Sequence, residues 1–87
     1  MYDYPLSLYW STQDIIDVMA LYNAVEKAYE EGISKEEFMM CYRRYLAVVD
    51  SKSEQKQIDA AFEKVSSYSI YKTFQKAKDN EWIDMRW

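Results

Sequence analysis

One glycine and one proline stand in 87 residues, and that scarcity constrains the fold more than any other feature. Sheets need frequent turns, and turns draw on clusters of Gly, Pro, Asn and Asp. A chain broken strongly only at Pro5 and Gly32 offers long uninterrupted stretches instead, which favours helices. Hydrophobic residues make up 49% and aromatics 17%, too many for a disordered chain. Eighty-seven residues point to one domain, 1–87, with a thin stability margin, because a small domain buries a smaller share of its surface.

The spacing of apolar residues predicts an all-α fold: a compact four-helix bundle or array with an extended N-terminal arm packed on it. In residues 1–10, Tyr2, Tyr4, Leu6, Leu8 and Trp10 alternate with other residues, and Pro5 keeps this arm out of a central strand. A first helix over about 12–31 opens at Ser11 with Asp14 three residues on, close to capping-box spacing, and with Trp10 and Ile15 at the hydrophobic-staple positions. Its stripe is Ile15, Val18, Tyr22, Val25 and Tyr29, widened by Met19 and Leu21. Gly32 suits the left-handed residue that ends it. A second helix over 35–49 has Ser34 and Glu37 as a capping-box pair and Ile33 with Phe38 as staple. Phe38, Tyr42, Tyr45 and Val49 form its stripe, with Cys41 and Leu46 beside it. A third, 52–66, opens at Ser51 with Glu54 at the third position and buries Ile58, Ala61, Phe62 and Val65. Its other face aligns Lys52, Lys56, Asp59 and Glu63, a mixed-sign stripe that reads as solvated. Residues 66–69 interrupt the pattern before a fourth helix over 70–80, with Ile70, Phe74 and Ala77 inward. The tail from Trp82 to Trp87 is apolar enough to pack back on the bundle or to meet a partner.

Function is constrained mainly by what is scarce. Histidine, the usual general base and commonest metal ligand near neutral pH, is absent from the chain. A nucleophilic Ser or Cys needs a base beside it, and Cys41 lies beside an apolar stripe, where a thiol is ordinarily structural. One glycine cannot build a phosphate-cradling loop, a single cysteine cannot build a cysteine-based zinc site, and the acids lack EF-hand spacing. The residues therefore point to no catalytic group, no cofactor and no metal, and away from an enzyme.

Charge leaves a few candidates for contact. The net charge is −4, divided as −6 over residues 1–42 and +2 over residues 43–87. Glu30 and Glu31 sit in a helix's last turn, the end that disfavours acids, and Glu36 and Glu37 follow across a short connection. Neutralisation by Lys27 or Lys35 is the structural explanation, and an acidic knob facing a basic protein partner is the functional one. Arg43 and Arg44, between Tyr42 and Tyr45, cover the tyrosine edges with their stems or contact a partner. The leading reading is a non-catalytic protein-interaction or adaptor module with an unidentified protein partner. The alternative is a weak nucleic-acid or anion binder using Arg43, Arg44, Lys72 and Lys76, which an acidic chain disfavours. Exposed aromatics in the arm or tail would also favour a homodimer. No membrane span is long enough, no signal peptide opens the chain, and a lone thiol suits a reducing compartment, so the expected location is cytoplasmic.

Several runs occur together in a specific order. They are Tyr4-Pro5-Leu6-Ser7, Trp10-Ser11-Thr12, Ile15-Ile16-Asp17-Val18, Ala24-Val25-Glu26-Lys27-Ala28-Tyr29-Glu30 and Gly32-Ile33, then Tyr42-Arg43-Arg44, Ser51-Lys52, Tyr68-Ser69 and Tyr71-Lys72. With this order the chain resembles the YktA-like family of small uncharacterised proteins of Bacillus-type, low-GC Gram-positive bacteria, over about residues 4–78. The resemblance implies a cytoplasmic all-α protein of similar length and supplies no activity, cofactor or catalytic residue. It also implies glycine where this chain has Ser67, and so a slightly strained turn before the last helix.

Overall fold

The computed structural model describes residues 4–86, so the expectations for Tyr2 and Trp87 lie outside the described residues. Four helices follow in order: α1 (Thr12–Glu30), α2 (Lys35–Val48), α3 (Lys52–Ser66) and α4 (Ile70–Asp79). Two two-residue strands, β1 (Ile33–Ser34) and β2 (Trp82–Ile83), pair antiparallel with Ile33 opposite Ile83 and Ser34 opposite Trp82. The fold is thus all-α in substance with one small sheet that the residue pattern did not predict. The helices end at Glu30, Val48, Ser66 and Asp79, so three of them stop one residue short of the expected ends.

A serine hydroxyl starts every helix. Ser11, Ser34, Ser51 and Ser69 each accept the backbone N–H of the residue three positions on, satisfying one of the donors a helix start leaves open. Only Ser11 and Asp14 complete the reciprocal box. Glu37 does not return to Ser34. Its carboxylate meets Lys27 of α1 at 3.5 Å, an exposed pair worth less than about 1 kcal/mol.

The stripes of α1, α2 and α4 meet in one core containing Val18, Leu21, Tyr22, Val25, Phe38, Tyr45, Val49, Ile70 and Ala77. Helix α3 adds Ile58 and Phe62. Ala61, expected inside, is exposed, and Val65 is half-buried. Alanine carries too little apolar area to decide which way a helix turns, and Phe62 decides it. Its ring stacks on Tyr22 at 4.7 Å and meets Tyr4 of the arm at 5.6 Å, while Tyr4 and Tyr22 lie 5.4 Å apart. Each such pair adds roughly 0.5–1.5 kcal/mol beyond its buried area. The Tyr22 hydroxyl donates to the Pro5 carbonyl at 2.7 Å, which pins the arm. Burial raises that phenol well above its ordinary range, so it remains a donor. Beyond Pro5 the arm turns: the Tyr9 and Trp10 N–H groups donate to the Ser7 hydroxyl and carbonyl, and the extended arm ends there.

The tail packs back. Besides the Ile33 and Ile83 pairing, Met85 N–H donates to the Ala28 carbonyl at 2.8 Å and Arg86 donates to the Glu30 carbonyl at 3.3 Å. Both carbonyls belong to the last turn of α1, where no intrahelical donor reaches them. Gly32 has φ +97°, and its Cα hydrogens face the Trp82 indole. A Cβ there would lie 2.6 Å from the indole nitrogen. Gly32→Ala is therefore expected to lower stability by about 2–3 kcal/mol, from backbone strain plus displacement of the indole, read as a lower urea midpoint.

The strained turn before the last helix is present. Ser67 ends α3 in the left-handed region, φ +70°, where a Cβ is unfavourable. Its side chain is exposed. Ser67→Gly is expected to raise stability by about 0.5–1 kcal/mol and to increase the melting temperature by a few degrees.

Candidate functional site

A groove of about 740 Å³ lies between α2, α3 and α4. Lys52, Lys56, Asp59 and Glu63 form the α3 wall, so the stripe that read as merely solvated is one side of a cleft. Helical spacing correctly placed these four side chains on one face. What stands opposite that face is a matter of tertiary packing, which spacing does not report. Tyr42 and Tyr45 of α2 and Tyr71, Lys72 and Phe74 of α4 complete the walls.

The aromatic side is packed ring against ring. Tyr42 stacks on Phe74 at 4.4 Å, and Phe38 and Tyr45 flank Tyr42 at 5.8 and 6.0 Å. The Lys78 ammonium lies 4.8 Å from the Phe74 ring centroid, a cation–π contact at an exposed edge. Tyr71 is the open member of the set, 57% exposed.

Asp59 ties the groove together. Its Oδ1 accepts the Ile70 N–H at 2.9 Å, so a carboxylate on α3 caps the start of α4 beside Ser69. Burial is the main influence on this carboxyl and raises its pKa, and Glu63 adds to that. The N–H groups of Ile70 and Tyr71 and the Lys72 charge oppose it. The phenols of Tyr42 and Tyr45 are raised as well, first by burial, then for Tyr42 by Asp59 and Tyr71 and for Tyr45 by Tyr42, Asp59 and Glu54. The polar part of the cleft is therefore lined by the Tyr42 and Tyr45 hydroxyls, the Asp59 and Glu63 carboxyl groups and Lys52, Lys56 and Lys72.

The residues singled out from the sequence lie elsewhere and do not form one site. Glu30 accepts the Tyr68 hydroxyl at 3.0 Å, Glu37 faces Lys27, and Glu31 lies near the Arg86 guanidinium. At the last turn of α1 the tail's Arg86, itself paired with Asp84 at 2.6 Å, donates to the Glu30 carbonyl and lies near Glu31. Lys27 serves Glu37, and Lys35 donates to the Lys78 carbonyl at 3.5 Å. Of the four acids, Glu36 is exposed without a hydrogen bond or ion pair among the described residues. Arg43 and Arg44 are exposed and form no ion pair among the described residues. Lys76 donates to the Asp84 carbonyl, which fixes it to the tail, whereas Lys72 borders the groove. Cys41 is half-buried in a smaller cleft of about 270 Å³ between α1 and α2. Burial first, then Glu37, pushes its thiol up, against a smaller opposing effect of Arg44, so little thiolate exists at neutral pH. Among the described residues no three Cys, Asp or Glu side chains converge to hold a metal ion, and no helix is long and apolar enough to cross a membrane.

A carboxyl whose folded pKa exceeds its unfolded one binds its proton more tightly in the folded state, so stability falls as pH rises through that interval. For Asp59 the interval starts at the ordinary aspartate value and ends at the raised one. Asp59→Asn keeps an oxygen for the Ile70 N–H and removes the titration. The stability of this variant relative to wild type is expected to be most favourable at pH 7 and to decline as pH drops to 3 in parallel urea unfolding series. A difference that stays constant with pH would contradict the raised carboxyl.

Comparison with known proteins gives a consistent result. Residues 1–85 match the uncharacterised protein family UPF0223. A UPF0223 protein of Bacillus cytotoxicus is 51% identical over 80 residues, covering 92% of this chain and 90% of the relative. One from Streptococcus uberis is 48% identical over 80 residues, covering 92% and 87%. One from Oceanobacillus iheyensis is 40% identical over 85 residues, covering 98% and 97%.

Proposed function

The chain belongs to the uncharacterised protein family UPF0223, and we propose that it acts as a small non-catalytic interaction module that docks a protein segment in the groove between α2, α3 and α4. The observation that carries this reading is the exposed Tyr71 beside a wall of stacked aromatic rings, under a rim of lysines. Protein interfaces favour that anatomy, an aromatic centre within a polar, wet rim. Tyrosine supplies contact area at small entropic cost because only two torsions are fixed. With Asp59 committed to the start of α4, the exposed charges on the α3 and α4 rims are Lys52, Lys56 and Lys72 against Glu63. The favoured partner segment is therefore apolar or aromatic with acidic flanks.

The absence of histidine and the raised Cys41 thiol support a role without catalysis. The lone thiol also favours the cytoplasm as the place of work. The groove replaces the acidic knob as the leading surface, because Glu30 and Glu37 already have partners within the chain.

Affinity capture from bacterial cytoplasm with three baits tests the proposal: wild type, Tyr71→Ala with Lys72→Glu, and a variant with Glu30, Glu31, Glu36 and Glu37 changed to Gln. Recovery of the wild-type partner is expected to fall at least tenfold with the groove variant and to persist with the acid variant. The reverse pattern would return the contact surface to the acids and overturn the groove reading.

A further inference from the structure

Seven large hydrophobic side chains are strongly exposed among the described residues, and four of them, Leu6, Leu8, Tyr9 and Ile16, fall within eleven residues at the start of the chain. Leu8 and Tyr9 are fully exposed, at 101% and 97%. They sit at the tip of the turn that Ser7 holds with its hydroxyl and carbonyl. The turn is fixed on both sides. Before it, Tyr4 lies against Tyr22 and Phe62, and Pro5 accepts the Tyr22 hydroxyl. After it, Ser11 caps α1. A preformed apolar tip of this kind is uncommon on a monomer and typical of a contact surface.

We infer that the occupant of the groove is the arm turn of a second copy of this chain, with Leu8 and Tyr9 inserted between Tyr71, Phe74 and the α3 wall. This rests on the reading of the groove as a docking surface and names its partner. Charge supports the pairing. Residues 1–25 contain Asp3, Asp14 and Asp17 and no base, whereas the groove rim carries Lys52, Lys56 and Lys72. Two arms meeting each other would instead bring their aspartates together, so the self-complementary arrangement is disfavoured. The volume is adequate: about 740 Å³ lies within the range of sites that enclose a drug-sized molecule, more than two side chains require. The turn does not reach its own groove, since it is held at Pro5 and Ser11 and no described arm residue lines the cleft. The contact joins two different surfaces, so each copy retains a free arm and a free groove, and association continues into rings or short filaments.

Sedimentation velocity with two variants decides the matter. The first, Leu8→Ser with Tyr9→Ser, removes the tip. The second, Lys52→Glu with Lys72→Glu, reverses the rim. All four positions are exposed, and circular dichroism melts check that both variants stay folded. Wild type is expected to rise from the 10.5 kDa monomer past twice that mass with increasing concentration, and to fall back in high salt. Each variant alone should remain at monomer mass. Their mixture should form a 1:1 dimer and stop there, because only one intact arm and one intact groove remain per pair. A wild type that stays monomeric up to millimolar concentration, or a mixture that forms no dimer, overturns the inference. If wild type is monomeric while the Tyr71→Ala and Lys72→Glu bait still loses a cellular partner, the self-docking fails and the groove reading stands. If that bait loses nothing, the groove reading fails as well.

Discussion

The end of α1 is the point on which the rest of the molecule depends. A helix leaves its last carbonyls without donors, and here the chain supplies donors from more than fifty residues away. Met85 serves Ala28 and Arg86 serves Glu30, while the Lys27 carbonyl takes the N–H groups of Glu31 and Gly32. The same junction turns the chain into β1 through the only glycine, and β2 pairs with it. Trp82 then covers the bare glycine backbone. A 10.5 kDa chain has little core to draw on, so tying its C-terminal tail back to the end of the first helix converts a string of four helices into a closed unit. The Arg86 charge, held by Asp84, also lies near Glu31 in the place where the helix dipole disfavours an acid.

Much of this was legible in the sequence, and the limits have physical causes. Helix starts are local: a serine hydroxyl reaches an N–H three residues away, so Ser11, Ser34 and Ser51 announce themselves. Gly32 is legible for the same reason, as a residue needed where φ is positive. Burial on a helix is legible when a large side chain decides it, as at Tyr22, Phe38 and Phe62, and not when the residue is alanine, as at Ala61. Long-range closure is not legible. A two-residue strand gives no periodic signal, and nothing near Glu30 indicates that Arg86 will donate to its carbonyl. The groove was half legible: the α3 stripe was correctly aligned, yet its surroundings depend on how α2 and α4 cross it.

The nine tyrosines show how one residue type divides between fold and surface. Tyr22 and Tyr45 are buried, and Tyr4 lies against the core with Tyr22. Tyr29 stacks on Tyr68 at 4.4 Å while its hydroxyl accepts the Ser69 N–H, so this pair fastens the turn between α3 and α4 to α1. Tyr42 is shared between core and groove. Among the described residues this leaves Tyr9 and Tyr71 as the two whose rings are mainly in water. Both are held on ordered backbone, one at a hydrogen-bonded turn and one in the first turn of a capped helix. Fixing such a ring before contact reduces the entropy lost on binding.

Asp59 connects these two uses of the molecule. Ser69 alone would cap α4, so a second acceptor reaching from α3 is not needed to start the helix. Its contribution is to fix where α4 lies against α3, because the Ile70 N–H must stay within hydrogen-bond reach of a side chain on the other helix. The raised carboxyl shows that the position is not optimised for the aspartate itself. Placing it there sets the distance between the α3 lysines and the α4 aromatics, and hence the width of the cleft. A polar tie of this sort specifies geometry more than it adds stability, and a docking surface requires geometry.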